Sequence, residues 1–264
     1  MDFDFYKELV DKTAAYSEII HPNGCGEPLL YPHIVEAIEY ATSKHKLTKF
    51  FTNAMLLDEE MTMGLLEAGL SEIMFSVNGC DKRSFEPFRT GASWDTVLNN
   101  IRFFIKAKNQ GGYKTKPIVR ITATPELQPR LGEIKMFWSK QGLYRVRSTR
   151  EMAISPPSNI LDEELKPRFI SGMKFDGCSK LNKHLTVNVA GKLVLCCVDY
   201  LGAYVIGDLT KQEPLEAFNS VEANKLRDAM KTGINYPALC EPCQNPEIRY
   251  SYLRPMLDLS EYEG

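Results

Sequence analysis

The stretch 71–108, "SEIMFSVNGCDKRSFEPFRTGASWDTVLNNIRFFIKAK", decides the fold. It opens on a short apolar run, "SEIMFSV", that reads as a strand. After a loop rich in Gly, Asp and Pro, it continues into "SWDTVLNNIRFFIKAK". There Ser93 stands where an N-cap is preferred, because its hydroxyl can accept an otherwise unpaired N–H of the first turn. Val97, Leu98, Ile101, Phe104 and Ile105 recur at helical spacing and form one apolar stripe. Strand, loop and amphipathic helix in that order make one βα unit.

The same unit repeats on both sides. "YSEIIH" reads as strand, and "PHIVEAIEYATSKH" is a helix with Ile34, Val35, Ile38 and Ala41 on one face. "LTKFFT" is strand, and "DEEMTMGLLEAG" a helix with Asp58 as N-cap and Gly69 past its end. "PIVRITA", "LGEIKMFWSKQG" and "LYRVRS" complete a strand, a helix and a strand. Short apolar strands alternating with helices predict an α/β fold with a parallel sheet. Such sheets place their ligands at the carboxyl ends of the strands. The loops there are "HPNGCGEPLL", "TNAMLL", "SVNGCDKRSF", "TATPEL" and "STREMAISPP".

A Pro-rich stretch, "ISPPSNILDEELKP", follows, and the pattern then changes. Residues 178–243 hold a hairpin ("LTVNVAGKLVLCC"), a Gly-Asp loop, one helix ("PLEAFNSVEANKLRDAMKTG") and a C-x2-C. The expected organisation is a barrel-like domain over 1–155, a linker over 156–177 and a small α+β metal-binding module over 178–264.

Composition bounds the function. The chain has 264 residues with 44% hydrophobic and 25% charged side chains, as in an ordinary globular protein. Its formal net charge of −2 offers no footprint for nucleic acid or an anionic membrane. No apolar run reaches the length of a membrane span, and the acidic amphipathic start lacks the chemistry of a signal peptide. A cytoplasmic protein is expected, with no nucleic-acid or membrane partner.

Seven cysteines, an odd number, argue against a disulfide framework in a reducing compartment. Five of them lie in the last third of the chain. In Cys240-x2-Cys243 both thiolates can reach one metal centre from a single turn. The hairpin brings Cys196 or Cys197 alongside, and Cys178 can supply a fourth sulfur. Adjacent residues on a strand face opposite sides, so only one of Cys196 and Cys197 can serve a compact site. Four sulfurs suit either Zn²⁺ or a [4Fe–4S] cluster, and ligand chemistry alone does not choose between them.

Taken in order, "GCGEPLLYPHIVEAIEYA", "FTNAMLL", "IMFSVNGCDKRSFEPFRTGASWDTVLNNIRFF" and the hairpin-to-C-x2-C module resemble radical S-adenosylmethionine (SAM) enzymes. The module resembles their C-terminal SPASM or "twitch" extension. The spacing Cys178-x12-Gly191-x4-Cys196 matches the opening of the SPASM pattern, which selects Cys196 over Cys197. The lack of further cysteines after the C-x2-C matches the shorter twitch form, with one cluster on Cys178, Cys196, Cys240 and Cys243.

The resemblance implies a partial (β/α) TIM-like barrel. It also implies reductive cleavage of SAM, a 5′-deoxyadenosyl radical and hydrogen abstraction from a small-molecule or peptide substrate. The auxiliary [4Fe–4S] cluster and an external electron donor would assist. It places Gly26, Glu27 and Pro28 at the amino end of SAM and Ser76 and Asn78 beside its ribose or carboxylate. Arg89 would be a carboxylate partner, and Asn53 would close the next loop. Asn78 stands where the family has Asp.

The family's C-x3-C-x2-C, whose three thiolates hold the SAM-cleaving cluster, does not occur in this sequence. The first strand and cluster loop are therefore expected to be missing from the barrel, through truncation or a mis-started reading frame, through supply by another polypeptide, or through true loss. The chain alone is expected not to cleave SAM. The alternative is a non-catalytic degenerate homologue or a zinc-stabilised binding or scaffold protein. The substrate is not readable. Arg145, Arg147 and Arg150 would suit an anionic group or a solvated edge.

Overall fold

The computed structural model describes residues 1–24, 26–89, 91–123, 127–150, 169–170, 177–199 and 201–240. The chain divides into two compact units, one over Phe3–Glu151 and one made of Met152–Gly264 with Met1–Asp2.

The first unit runs α1 (Phe3–Thr13), β1 (Ile19–Ile20), α2 (Ile34–Ser43), β2 (Leu47–Thr52), α3 (Glu59–Glu67), β3 (Glu72–Ser76), α4 (Lys82–Phe85), α5 (Trp94–Gln110), β4 (Lys116–Ala123), α6 (Leu131–Lys140) and β5 (Val146–Arg150). The five strands lie in sequence order in one sheet, and every pair is parallel. This is the α/β arrangement expected from the alternating pattern. The caps fall where the sequence puts them. Ser93 Oγ accepts the Thr96 N–H at 3.3 Å, and Asp58 Oδ1 accepts the Met61 N–H at 2.8 Å. The α5 stripe buries Val97, Ile101, Phe104 and Ile105, with Leu98 packed at its margin.

The strands divide their residues between two faces, as the pleat requires. Phe50, Ile73, Phe75, Val119 and Ile121 enter the main core with the helices. Phe51, Met74, Ile118 and Arg120 alternate with them and so lie on the opposite, inner face. One boundary differs from the reading of the sequence. The last strand starts at Val146 rather than Leu143, because pairing to β4 begins only with the Val119 N–H to Arg145 carbonyl bond at 2.9 Å. Leu143 is buried instead as a loop anchor.

The loop after β3 rests on an aromatic cluster. Trp94 and Trp138 meet edge to face at 5.9 Å, and Phe85 lies 5.6 Å from Trp94. Trp138 Nε1 donates to the Gly79 carbonyl at 3.0 Å. Gly79 has φ +116°, and a Cβ there would lie 2.3 Å from Ser84 Oγ, so only glycine fits without a shift.

The second unit contains β6 (Phe169–Ile170), α7 (Ser179–Lys183), β7 (Thr186–Val187), β8 (Lys192–Val194), β9 (Val205–Asp208), α8 (Pro214–Phe218), α9 (Val221–Thr232) and β10 (Tyr236–Pro237). Of the linker expected over 156–177, only residues 169–170 and 177 lie among the described residues, and β6 pairs antiparallel with β10. The expected hairpin is β7–β8, and the Gly-Asp "loop" is a third antiparallel strand, β9. Lys192 and Asp208 are cross-strand partners and form an ion pair at 2.6 Å, which holds that register. The single helix expected over 214–233 is two. Ser220 leaves the helix to cap α9, its Oγ accepting the Ala223 N–H at 3.2 Å.

Candidate cofactor and cluster sites

Side chains tie the loop after β1 to the end of β2, and the loop after β3 to β4. Asn23, after β1, exchanges two hydrogen bonds with the backbone of Phe51 on β2. Its Oδ1 accepts the Phe51 N–H at 2.8 Å, and its Nδ2 donates to the Phe51 carbonyl at 3.2 Å. Glu27 then bridges the same two elements. One carboxylate oxygen accepts the Asn53 N–H at 2.8 Å and the other the Leu29 N–H at 3.3 Å, which caps the 3₁₀ turn Pro28–Leu30. Asn53 Oδ1 accepts the Met55 N–H at 2.8 Å and closes the loop after β2.

At the end of β3, Asn78 is only 9% exposed, and its Oδ1 accepts the Thr122 N–H of β4 at 2.8 Å. Arg89 turns back from the short segment after α4 and donates to the Ser76 carbonyl at 3.1 Å. Burial pulls the Arg89 guanidinium below its ordinary pKa, and the charge of Glu27 acts in the opposite sense. Gly26 has φ +137°, and a Cβ there would meet nothing within 4 Å, so open space borders the backbone of this loop.

Glu27, Asn53, Ser76, Asn78 and Arg89 thus gather at one edge of the sheet, with Gly26 and Pro28 flanking Glu27. Cys25 lies outside the described residues. The open backbone at Gly26, beside a carboxylate and a half-buried guanidinium, suits a zwitterionic ligand such as an amino acid group. Sequence reasoning missed Asn23 and Thr122.

Cys80 is buried rather than facing a ligand edge. Its Sγ lies 3.6 Å from Glu133 Oε1 and 3.8 Å from Asp81 Oδ2. The three ligand atoms are within 4.8 Å of one another, as a metal site would require. The Arg130 guanidinium already supplies the cation, at 2.5 Å from Asp81 Oδ2, 2.9 Å from Glu133 Oε1 and 3.5 Å from the sulfur. Its hydrogen bond holds the Asp81 carboxyl down at about 2. Burial, helped by Glu133, pushes the Cys80 thiol up to about 11. The cluster is a tie between the β3 loop and α6.

In the second unit, Leu181, Leu195, Leu226, Met230 and Tyr236 form a small core. Cys178, the residue preceding α7, and Cys240, closing the turn Ala238–Cys240, pack against it. Cys196 directly follows Leu195 and is half-buried, whereas Cys197 is exposed. Asp199 is 4% exposed and caps the loop after the cysteine pair. Its carboxylate accepts the N–H groups of Ala203 at 2.8 Å and Tyr204 at 3.0 Å, and its own N–H bonds the Cys196 carbonyl at 3.0 Å. Cys243 lies outside the described residues. Cys178 and Cys240 thus lie on one core, Cys196 is next to its residue Leu195, and Cys243 follows three residues after Cys240. Thiolates are soft donors of the kind a cluster or a zinc ion takes, although the metal-spaced trio among the described residues is Cys80, Asp81 and Glu133 and not these sulfurs. The first unit holds two cysteines, Cys25 and Cys80, which is too few for a three-cysteine site, and Cys80 is engaged with Arg130.

Residues 24–119 match the radical SAM superfamily, and residues 178–244 match the SPASM iron–sulfur cluster-binding domain. The AdoMet-dependent heme synthase of Methanosarcina barkeri is 27% identical over 136 residues, 50% of this chain and 39% of that protein. The mycofactocin maturase MftC of Mycobacterium tuberculosis is 24% identical over 96 residues, 36% of this chain and 25% of that protein. The chain therefore matches well under half the length of these curated relatives. In fold it resembles native anSMEcpe with bound AdoMet and Cp18Cys peptide, with a TM-score of 0.63 at 12% identity, covering 97% of this chain and 90% of that one. These two matches imply [4Fe–4S] clusters and SAM as cofactors. No helix among the described residues is long and apolar enough to cross a membrane. The parallel sheet thus lies largely within the stretch that matches the radical SAM superfamily, and the cysteine-bearing module that follows is the stretch that matches the SPASM domain.

Proposed function

We propose that this protein binds SAM at the carboxyl edge of its parallel sheet and an iron–sulfur cluster in its C-terminal module, and serves the radical-based modification of a small-molecule or peptide substrate. Gly26, Glu27 and Pro28 receive the amino end of SAM, Ser76 and Asn78 border its ribose or carboxylate, and Arg89 pairs with the carboxylate. Cys178, Cys196, Cys240 and Cys243 hold the cluster. The domain limits that go with this reading are 1–155 for the barrel-like part, 156–177 for the joint and 178–264 for the module.

The observation that supports it most is the cross-tying of the loop ends by Glu27, Asn78 and Arg89. Side chains that brace each other from different strands preorganise a binding edge, which lowers the cost of ordering it around a ligand. When bound, the cluster and SAM supply the one-electron chemistry, and the chain's part is orientation and shielding. Electrons come from an external donor. Two of the similar proteins support a peptide or small-molecule substrate: MftC is a maturase, and anSMEcpe is seen with a peptide.

A second reading is favoured by one specific observation, the lack of C-x3-C-x2-C in this sequence. It is a non-catalytic homologue with zinc in the module. Anaerobic purification with metal and sulfide analysis separates the two. About four iron and four sulfide per chain are expected on the first reading, and about one zinc on the second. On both readings the 264-residue chain alone yields no stoichiometric 5′-deoxyadenosine with a reductant. Isothermal titration with SAM, showing saturable binding to the full chain, completes the test.

A further inference from the structure

The inner face of the sheet carries two adjacent arginines that no described acid neutralises. Arg120 on β4 and Arg147 on β5 are Cα partners. Paired residues of neighbouring parallel strands sit about 4.8 Å apart and point to the same face. That face is the one opposite the helices, because Arg120 alternates with core residues Val119 and Ile121. The Arg120 guanidinium lies over the Phe51 ring at 4.8 Å, which holds it along the sheet surface rather than out in water. Arg120 is half-buried and Arg147 exposed.

Like charges in directly paired sheet positions destabilise one another. Arg130 meets Asp81 and Glu133, and Lys192 meets Asp208. No such pairing accompanies Arg120 or Arg147 among the described residues. A local rule broken without compensation marks a place where a ligand completes the structure. The position agrees. Arg120 is the Cα partner of Ser76, whose carbonyl holds Arg89, so the pair adjoins the edge assigned above to SAM.

We infer that Arg120 and Arg147 form an oxyanion-binding pair that grips a carboxylate of the substrate. Two planar guanidinium forks side by side match a carboxylate by paired hydrogen bonds, which lysines at the same positions would not. The inference rests on the SAM reading, since it places the substrate beside that ligand. The same chemistry could be met by the carboxylate of SAM itself, and the experiment separates the two sources.

The test is equilibrium binding to the full chain, wild type against Arg120→Gln/Arg147→Gln, with four probes. These are fluorescent tetraglutamate, tetraglutamine, SAM and decarboxylated SAM. The expected result is a preference for tetraglutamate over tetraglutamine of about tenfold or more in wild type. The double variant abolishes this preference while SAM affinity holds. A variant that loses SAM affinity but keeps that for decarboxylated SAM upholds the pair and assigns its anion to SAM. Equal binding of all probes by wild type and variant overturns the inference. If wild type fails to bind SAM yet keeps the variant-sensitive preference for tetraglutamate, the SAM reading fails and the anion pair stands. The variant's urea midpoint should equal or exceed wild type, since a repulsion has been removed, so loss of binding cannot be charged to unfolding. Arg120→Lys, which keeps the charge and loses the fork, should retain only part of the preference.

Discussion

The carboxylate of Glu27 holds the backbone N–H of Asn53 at 2.8 Å, joining the loop after the first strand to the end of the second. A hydrogen bond to an ionised group contributes about 2 kcal/mol, and removing it also leaves the amide unpaired. Glu27→Ala is expected to lower stability by about that amount and to weaken SAM binding, because the loop no longer has a fixed position. Urea unfolding and titration calorimetry read the two effects. Unchanged values in both would remove Glu27 from the site.

Asn78 divides into an acceptor, used by the Thr122 N–H, and an amide that this bond leaves available. Asn78→Ala should cost about 1–2 kcal/mol, since it strands a buried donor. Asn78→Asp, which restores the family residue, keeps the acceptor and should hold stability close to wild type. A shift in the urea midpoint as large for Asp as for Ala would contradict this.

The Arg130 tie makes a pH prediction. Asp81 is held at about 2 against an ordinary 3.8. Its folded pKa is depressed, so its contribution is fully present above the ordinary value and is lost as pH falls through about 2. The gap in melting temperature between wild type and Asp81→Asn should therefore be constant above about pH 5 and close toward pH 2. Cys80, pushed up to about 11, stays a neutral thiol at pH 8 and should resist iodoacetamide while exposed Cys197 reacts.

Cys196 and Cys197 test the module directly. Cys196 follows a core residue and is half-buried, while its neighbour is exposed. Cys196→Ser is expected to lose most of the metal bound by the reconstituted protein, and Cys197→Ser to keep it. Equal loss in both would break the assignment of one sulfur to the site.

The parts of this molecule that repeat over a few residues could be read before any coordinates. Ser93 and Asp58 announced two helix starts, and the stripe from Val97 to Ile105 announced the face of α5 that is buried. What spans the chain could not. The Asn78–Thr122 bond joins residues 44 apart, and neither residue is unusual where it stands. The third strand of the module reads as a loop because Gly207 and Asp208 are residues that favour turns. Here Asp208 is fixed in a ladder by Lys192. The helix after residue 213 looked continuous because Asn219 and Ser220 interrupt no apolar periodicity, although Ser220 prefers to start a helix rather than sit inside one.

Asn23 does with a side chain what the backbone does elsewhere in the sheet, giving and taking a bond across Phe51. Together with Glu27 on Asn53 it clamps the intervening loop at two piers on one strand. The span is therefore set by β2 and not by the loop's own length. Gly26, at φ +137°, has to stay glycine, while a change at Gly24 leaves both piers in place. A single inserted or deleted residue shifts one pier off its partner, so homologues and engineered variants should tolerate substitution in this loop far better than a change in its length.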